Sequence, residues 1–207
     1  YASRMLREDM QRQMGEQQFS TVSLAAAQIN AELSDRLKSL ERVAAEIPPE
    51  LLGNPVALQA SLERRPVLQS LFSFGIFAAG PDAKAIASVP FSEERIGVSY
   101  ADRDFMIGAI KEGRPTIGRP VIGRVLGAPV IGMAVPIRDN KGQVVGALVG
   151  AINLGKPNFF DRITESRFSK SGGYLVIAPQ HQLIVTATDK SRIMQPAPAP
   201  GLNAMHD

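Results

Sequence analysis

Apolar residues Ala26, Ile29, Leu33, Leu37, Leu40, Ala44 and Ile47 recur at three- and four-residue steps along a stretch, 1–47, that contains no Pro and a single glycine, Gly15. This spacing predicts one long amphipathic helix, about 70 Å at 1.5 Å per residue. Pro48-Pro49 ends it. Its first third, 4–18, is dominated by Arg, Glu, Asp and Gln, so stability there has to come from side-chain pairs or from another chain. A shorter helix is expected over 54–63, with Asn54 as its cap and Pro55 in its first turn.

Beyond residue 70 the period changes. The apolar run 74–78, the turn residues Gly80-Pro81-Asp82-Ala83-Lys84 and the run 85–89 read as a hairpin. A short helix over 102–111, with Asp102 near its cap, closes at Gly113. Strands follow at 116–121, 129–138 and 143–154, the last two joined by Asp139-Asn140-Lys141-Gly142, a strong hairpin signal. The run 143–154 is apolar on both faces and reads as a central, covered strand. The predicted fold class is therefore α+β: a long N-terminal helix, then a small antiparallel sheet with flanking helices.

After Lys156-Pro157-Asn158 a helix is expected to about Arg167, followed by a second hairpin, 174–178 and 183–187, that repeats the logic of the first. It reads as the opening of a second unit that Pro196-Ala197-Pro198-Ala199-Pro200-Gly201 leaves incomplete, with loose C-terminal residues. The organisation predicted is an entry helix at 1–47, a main unit at 48–167 and the beginning of another unit at 168–207.

Composition narrows the chemistry. With 207 residues, 44% hydrophobic and 21% charged, the chain is ordinary globular material. It has no Cys, so it offers no disulfide, thiolate metal site or cysteine nucleophile. The net charge of +3 is scattered without a basic block, which argues against a nucleic-acid partner. The longest apolar stretch, 144–154, is far short of the roughly 20 residues that span a bilayer. No phosphate loop or nucleophile elbow is present, His181 and His206 lack companions at metal-ligand spacing, and Glu93-Glu94 read as solvated charge. No cofactor, metal or catalytic residue is expected.

One segment stands apart: Tyr100-Ala101-Asp102-Arg103-Asp104-Phe105-Met106, followed by Arg114, Arg119 and Arg124. An Arg in a short helix above a small sheet presents a planar charged fork to a carboxylate, with aromatic walls beside it. The alternative is that Arg103 pairs with Asp102, Asp104 or a loop backbone group and only holds the helix in place.

The order of elements, the hairpin opened by Phe74-Gly75-Ile76-Phe77, the 100–105 string, Ala134-Val135-Pro136-Ile137-Arg138 and Gly142-Gln143-Val144-Val145-Gly146-Ala147-Leu148 together resemble the double Cache family. These are PAS-like extracytoplasmic sensors of bacterial chemoreceptors, histidine kinases and cyclic-di-GMP enzymes. The resemblance implies a membrane-distal ligand-binding unit and the start of a membrane-proximal one. Amino-acid-binding members resemble one another in an Arg-x-Trp-Tyr string, a Tyr-x-Asp and a final Asp. Here Arg103 matches, but Phe105 and Met106 stand for Trp and Tyr, Val121 and Gly123 for Tyr and Asp, and Ala151 for the last Asp. Without acidic partners for an ammonium, a small carboxylate or a more apolar ligand fits better than an α-amino acid.

The ligand-binding residues expected are Tyr100, Arg103, Phe105, Met106, Val121, Met133 and Ala151. The function expected is non-catalytic: periplasmic sensing of a small molecule by a receptor anchored in the inner membrane, whose cytoplasmic output is a diguanylate cyclase, phosphodiesterase, kinase or chemotaxis domain. The N-terminal helix offers a surface for a homodimer. The competing reading is a structural dimerisation module without a ligand.

Overall fold

The computed structural model describes residues 2–168 and 173–198. The N-terminal periodicity becomes a single helix, α1 (Ala2–Ala45), about 66 Å long. Its C-terminal half buries a stripe: Ala25, Ile29, Leu40 and Ala44 are in the core, whereas Phe19, Val22 and Leu24 stay exposed. A 3₁₀ turn (Pro49–Gly53) leads to α2 (Pro55–Glu63), where the Asn54 side chain accepts from the Ala57 N–H at 3.1 Å, the cap expected from sequence. A further short helix, α3 (Pro66–Leu71), was not anticipated. Six residues opened by a Pro are too few to establish a period.

Six antiparallel strands form the main sheet: β1 (Gly75–Ala79), β2 (Ala85–Val89), β3 (Thr116–Ile117), β4 (Val121–Ile122), β5 (Pro129–Arg138) and β6 (Val144–Asn153). Their order is β2-β1-β6-β5-β3, with β4 also paired to β5. The longest ladder joins β5 and β6 from Val130↔Asn153 to Arg138↔Val144. Asp139 closes that hairpin by accepting the N–H groups of Lys141 and Gln143, both at 2.9 Å. β6 lies between β1 and β5 and its residues from Gly146 on are buried, as the two-sided apolar run requires.

Two expectations need correction. The strand expected over 116–121 is two short strands, because Gly118-Arg119-Pro120 interrupts the pairing to β5. The helix expected over 102–111 begins only at Asp104: α4 (Asp104–Met106) runs into a π-helical turn (Ile107–Lys111). The cap is not Asp102. Asp104 itself takes the Phe105 N–H at 2.8 Å and the Arg119 N–H at 2.8 Å, tying the helix start to the segment between β3 and β4.

Alternation along the strands divides the core in two. Ile76, Ala78, Ile131, Met133, Val135, Leu148 and Ile152 face α1, α2, α3 and α5 (Phe159–Phe168). Phe77, Ala79, Ala134, Ala147 and Val149 face the other way, toward Tyr100, Phe105 and Met106. The second hairpin is present as β7 (Leu175–Ala178) and β8 (Leu183–Ala187), a separate two-stranded sheet. After β8 the chain adds a 3₁₀ turn (Lys190–Arg192) and an isolated antiparallel bridge from Pro196 back to Leu183. The expectation of loose C-terminal residues falls largely on 199–207, outside the described residues.

Candidate functional site

The face of the sheet that carries Phe77, Val149 and Ala151 is not covered by a long helix. It is roofed by the segment 92–106 and by β4, and between roof and sheet lies a cavity of about 30 Å³. Phe74, Phe77, Phe105, Val121, Val130 and Ala151 line it with carbon. Tyr100 closes one side, its ring 4.7 Å from that of Phe77, centroid to centroid. Gly132 gives Phe105 its place: a Cβ there would stand 2.6 Å from the Phe105 ring, so the ring lies directly on the β5 backbone.

Three arginines line this space, Arg95, Arg103 and Arg124. Arg95 is the unusual one. It is 4% exposed, and its Nε and Nη1 are buried without a hydrogen-bond partner. Its guanidinium lies over the rings of Phe74 and Phe77, 4.6 and 5.5 Å from their centroids. Stacking on aromatic faces offsets part of the desolvation cost but satisfies no N–H. Burial pushes the Arg95 pKa below its ordinary value. Burial also pushes the Tyr100 phenol up, against the opposing pull of Arg95, Arg124 and Arg103. The other buried, unpartnered nitrogen among the described residues, Nε of Arg65, belongs to a side chain already paired with Glu46 at 2.5 Å.

Arg103 and Arg124 have structural partners. Arg103 donates from Nη2 to the carbonyl of Ile122 at 3.0 Å, holding β4 down over the cavity. This is the backbone contact that sequence left open as an alternative to a ligand role. Arg124 donates to both carboxylate oxygens of Asp102, at 2.5 and 2.6 Å, on the exposed rim. No acidic side chain lines the cavity.

Of the seven residues expected at the site, the fold brings Tyr100, Arg103, Phe105, Val121 and Ala151 to this cavity. Gly123, which stands with Val121 where amino-acid-binding relatives have polar groups, also lines it. Met106 is fully buried beneath the roof and borders a different small recess with Ile107 and Ile110. Met133 has to be reassigned. It is one residue from Gly132 on β5, so strand alternation sends it to the opposite face, into the core under α1. Arg95 was not anticipated. It sits in a polar turn after Glu93-Glu94, where neither period nor motif marks it, and only its burial shows its importance.

Wider clefts exist, of about 570, 540 and 470 Å³. The largest is bordered by Arg36, Asp161 and Lys190. Arg36 donates to the carbonyls of Leu71 and Glu32 and pairs with the Glu32 carboxylate, and Asp161 pairs with Lys190 and accepts from Thr186. Size alone therefore does not select the site; an unanswered buried charge does.

No metal-type cluster of His, Asp or Glu occurs among the described residues, and no described helix is long and apolar enough to cross a membrane.

Comparison with known proteins places this geometry. The fold is similar to the ligand-binding domain of the Pseudomonas aeruginosa amino acid chemoreceptor PctC in complex with GABA: 21% identity, 85% of this chain and 80% of that one, TM-score 0.65. It is similar to the ligand-binding domain of Pseudomonas fluorescens chemoreceptor CtaA in complex with L-serine, at 23% identity over 84% and 72% of the two chains, TM-score 0.65. It is also similar to that of Pseudomonas aeruginosa PctB in complex with L-Arg, at 22% identity over 86% and 66%, TM-score 0.69. No curated protein sequence matches. The fold is the one that these ligand-binding domains share. A family model described as Cache domain matches residues 6–202, nearly the whole chain, and the chain belongs to that family.

Proposed function

We propose that this domain is the extracytoplasmic input module of a membrane receptor and that it binds a small organic acid between the sheet and the 92–106 roof. The observation that carries this reading is Arg95: a guanidinium 4% exposed, with Nε and Nη1 unanswered, facing a cavity with no acidic lining. Leaving such donors unpaired costs about 1–3 kcal/mol each, a cost that an entering carboxylate removes. A cavity of about 30 Å³ accepts a carboxylate group and little more without movement of the roof, so compact acids are favoured.

The same lining argues against an α-amino acid as the ligand. Val121, Gly123 and Ala151 offer no charge to an ammonium group. The PctC, CtaA and PctB domains, whose complexes hold GABA, L-serine and L-Arg, support small-molecule sensing as the function. A purely structural module is the competing reading, favoured by how fully the aromatic rings fill the cavity, but it gives Arg95 no partner. Isothermal titration of the chain with organic-acid and amino-acid panels is the test. An organic acid should bind, and Arg95→Gln should weaken it by about 10- to 100-fold, the worth of a charge-assisted contact. Binding of amino acids with none by organic acids would overturn the proposal.

A further inference from the structure

Resting on that reading, we infer that the ligand is a short, unsubstituted monocarboxylate, with its carboxylate on Arg95 and its alkyl tail over Ala151, the residue that sets the length of tail the site accepts. Of the three arginines that line the cavity, Arg95 is the one whose buried donors are unanswered. Arg124 is paired with Asp102, and Arg103 donates to the Ile122 carbonyl. A second carboxylate would have to take Arg103 or Arg124 from its present acceptor, so the site calls for one negative charge. A hydroxyl or keto substituent on the tail would lie against Phe105, Val121, Val130 and Val149, which offer it no partner. Apart from the arginines, Tyr100 carries the only polar side chain among the described residues that line the cavity.

Strand order gives the tail its direction. Arg95 lies over Phe74, which precedes β1, and Phe77 within it. From β1 the strands follow in the order β6, β5 and β4, about 4.8 Å apart, so the lining runs from the Arg95 end through Ala151 on β6 and Val130 on β5 to Val121 on β4. A tail leaving Arg95 along the sheet therefore crosses β6 first. Gly75, Ala151 and Gly132 are cross-strand neighbours in one row. The place a Cβ would take at Gly75 is filled by the Val89 backbone and Pro90, and at Gly132 by the Phe105 ring. Ala151 stands between them and lines the cavity. Its single methyl group keeps the floor low at that point, and the enclosed volume of about 30 Å³ keeps the tail short.

The experiment is calorimetric titration of the chain with formate, acetate, propionate, butyrate and hexanoate, beside lactate, pyruvate, malonate, succinate and GABA. Affinity should peak at acetate or propionate and fall at least tenfold by hexanoate. Lactate should bind about 10- to 100-fold more weakly than propionate, which has the same carbon skeleton without the hydroxyl. Ala151→Gly should move the peak to a longer chain and Ala151→Val to a shorter one, with the fold of each variant checked by its thermal midpoint. Formate, lactate, pyruvate or a dicarboxylate binding as tightly as acetate and propionate would overturn the carbon-lined tail site and leave the organic-acid reading standing. An unchanged peak in both Ala151 variants would overturn the role given to Ala151. Binding of GABA alone, or of none of these probes, would overturn this inference and the organic-acid reading together.

Discussion

Arg95 carries opposite consequences for stability and for binding. A buried cation with two unanswered donors is a liability to the unliganded fold, offset in part by the faces of Phe74 and Phe77. Arg95→Met, which keeps the bulk and removes the charge, should leave stability unchanged or raise it by about 1 kcal/mol while abolishing anion binding. Paired urea titration and calorimetry check this. A loss above about 2 kcal/mol would make the residue structural. Gly132 is the complementary case. In Gly132→Ala the new Cβ meets Phe105 Cε1 at 2.6 Å and drives the ring into the cavity of about 30 Å³ that the ligand would occupy. A cost of about 1–3 kcal/mol and loss of ligand binding are expected, read by the same two measurements.

Tyr100 supplies a pH signature. Burial raises its folded-state pKa above 10.0, so as pH rises the unfolded chain releases this proton first. Tyr100 therefore costs the fold nothing below pH about 10, and stability falls above that point until the buried phenol itself ionises. Denaturant midpoints from pH 8 to 11 should decline at the alkaline end, and Tyr100→Phe should flatten that decline. Arg95→Met should raise the Tyr100 pKa further, because Arg95 exerts the largest of the charge effects that oppose burial.

Among the elements, α1 joins the parts of the core on the α1 side of the sheet. Leu40 is wholly buried beneath it, and Leu40→Ala should cost about 2–5 kcal/mol, measured by chemical denaturation. Arg36, also on α1, reaches the α3 end through the Leu71 carbonyl at 3.2 Å and lies 4.0 Å from the centroid of the Phe159 ring on α5. The second hairpin is fastened by Asp161 of α5, which is 4% exposed, accepts from the Asn158 N–H and the Thr186 hydroxyl, and pairs with Lys190. Asp161→Ala leaves these donors without their acceptor and should cost about 3 kcal/mol. Loss of amide-exchange protection should be greatest along β8.

Across the whole molecule, one sheet serves two environments. Its α1 side is packed by helices, and its other side holds the cavity, with β5 contributing alternate residues to each: Met133 behind, Gly132 in front. A ligand that shifts Phe105 or β4 therefore presses on the strand whose reverse face carries α1.

The helix over the N-terminal stretch, the Asn54 cap, the β1–β2 and β5–β6 hairpins and the covered central strand were legible in the sequence, because each rests on local periodicity or turn chemistry. Five of the seven residues expected at the site line the cavity between the sheet and the 92–106 roof. What sequence could not supply is anything that depends on which face a strand turns inward or on what covers a loop. Met133 lies on the α1 side of the sheet, away from the cavity, because parity along β5 is fixed by its register with β6, and register is a tertiary property. Arg95 was invisible because a charged residue in a polar turn reads as solvated until Phe74, Phe77 and Tyr100, drawn from β1, its approach and the roof, close over it. The sequence by itself determined that this is a long helix followed by a Cache-type sheet. The tertiary structure alone decided where its unanswered charge lies, because burial is created by distant segments meeting and not by any one of them.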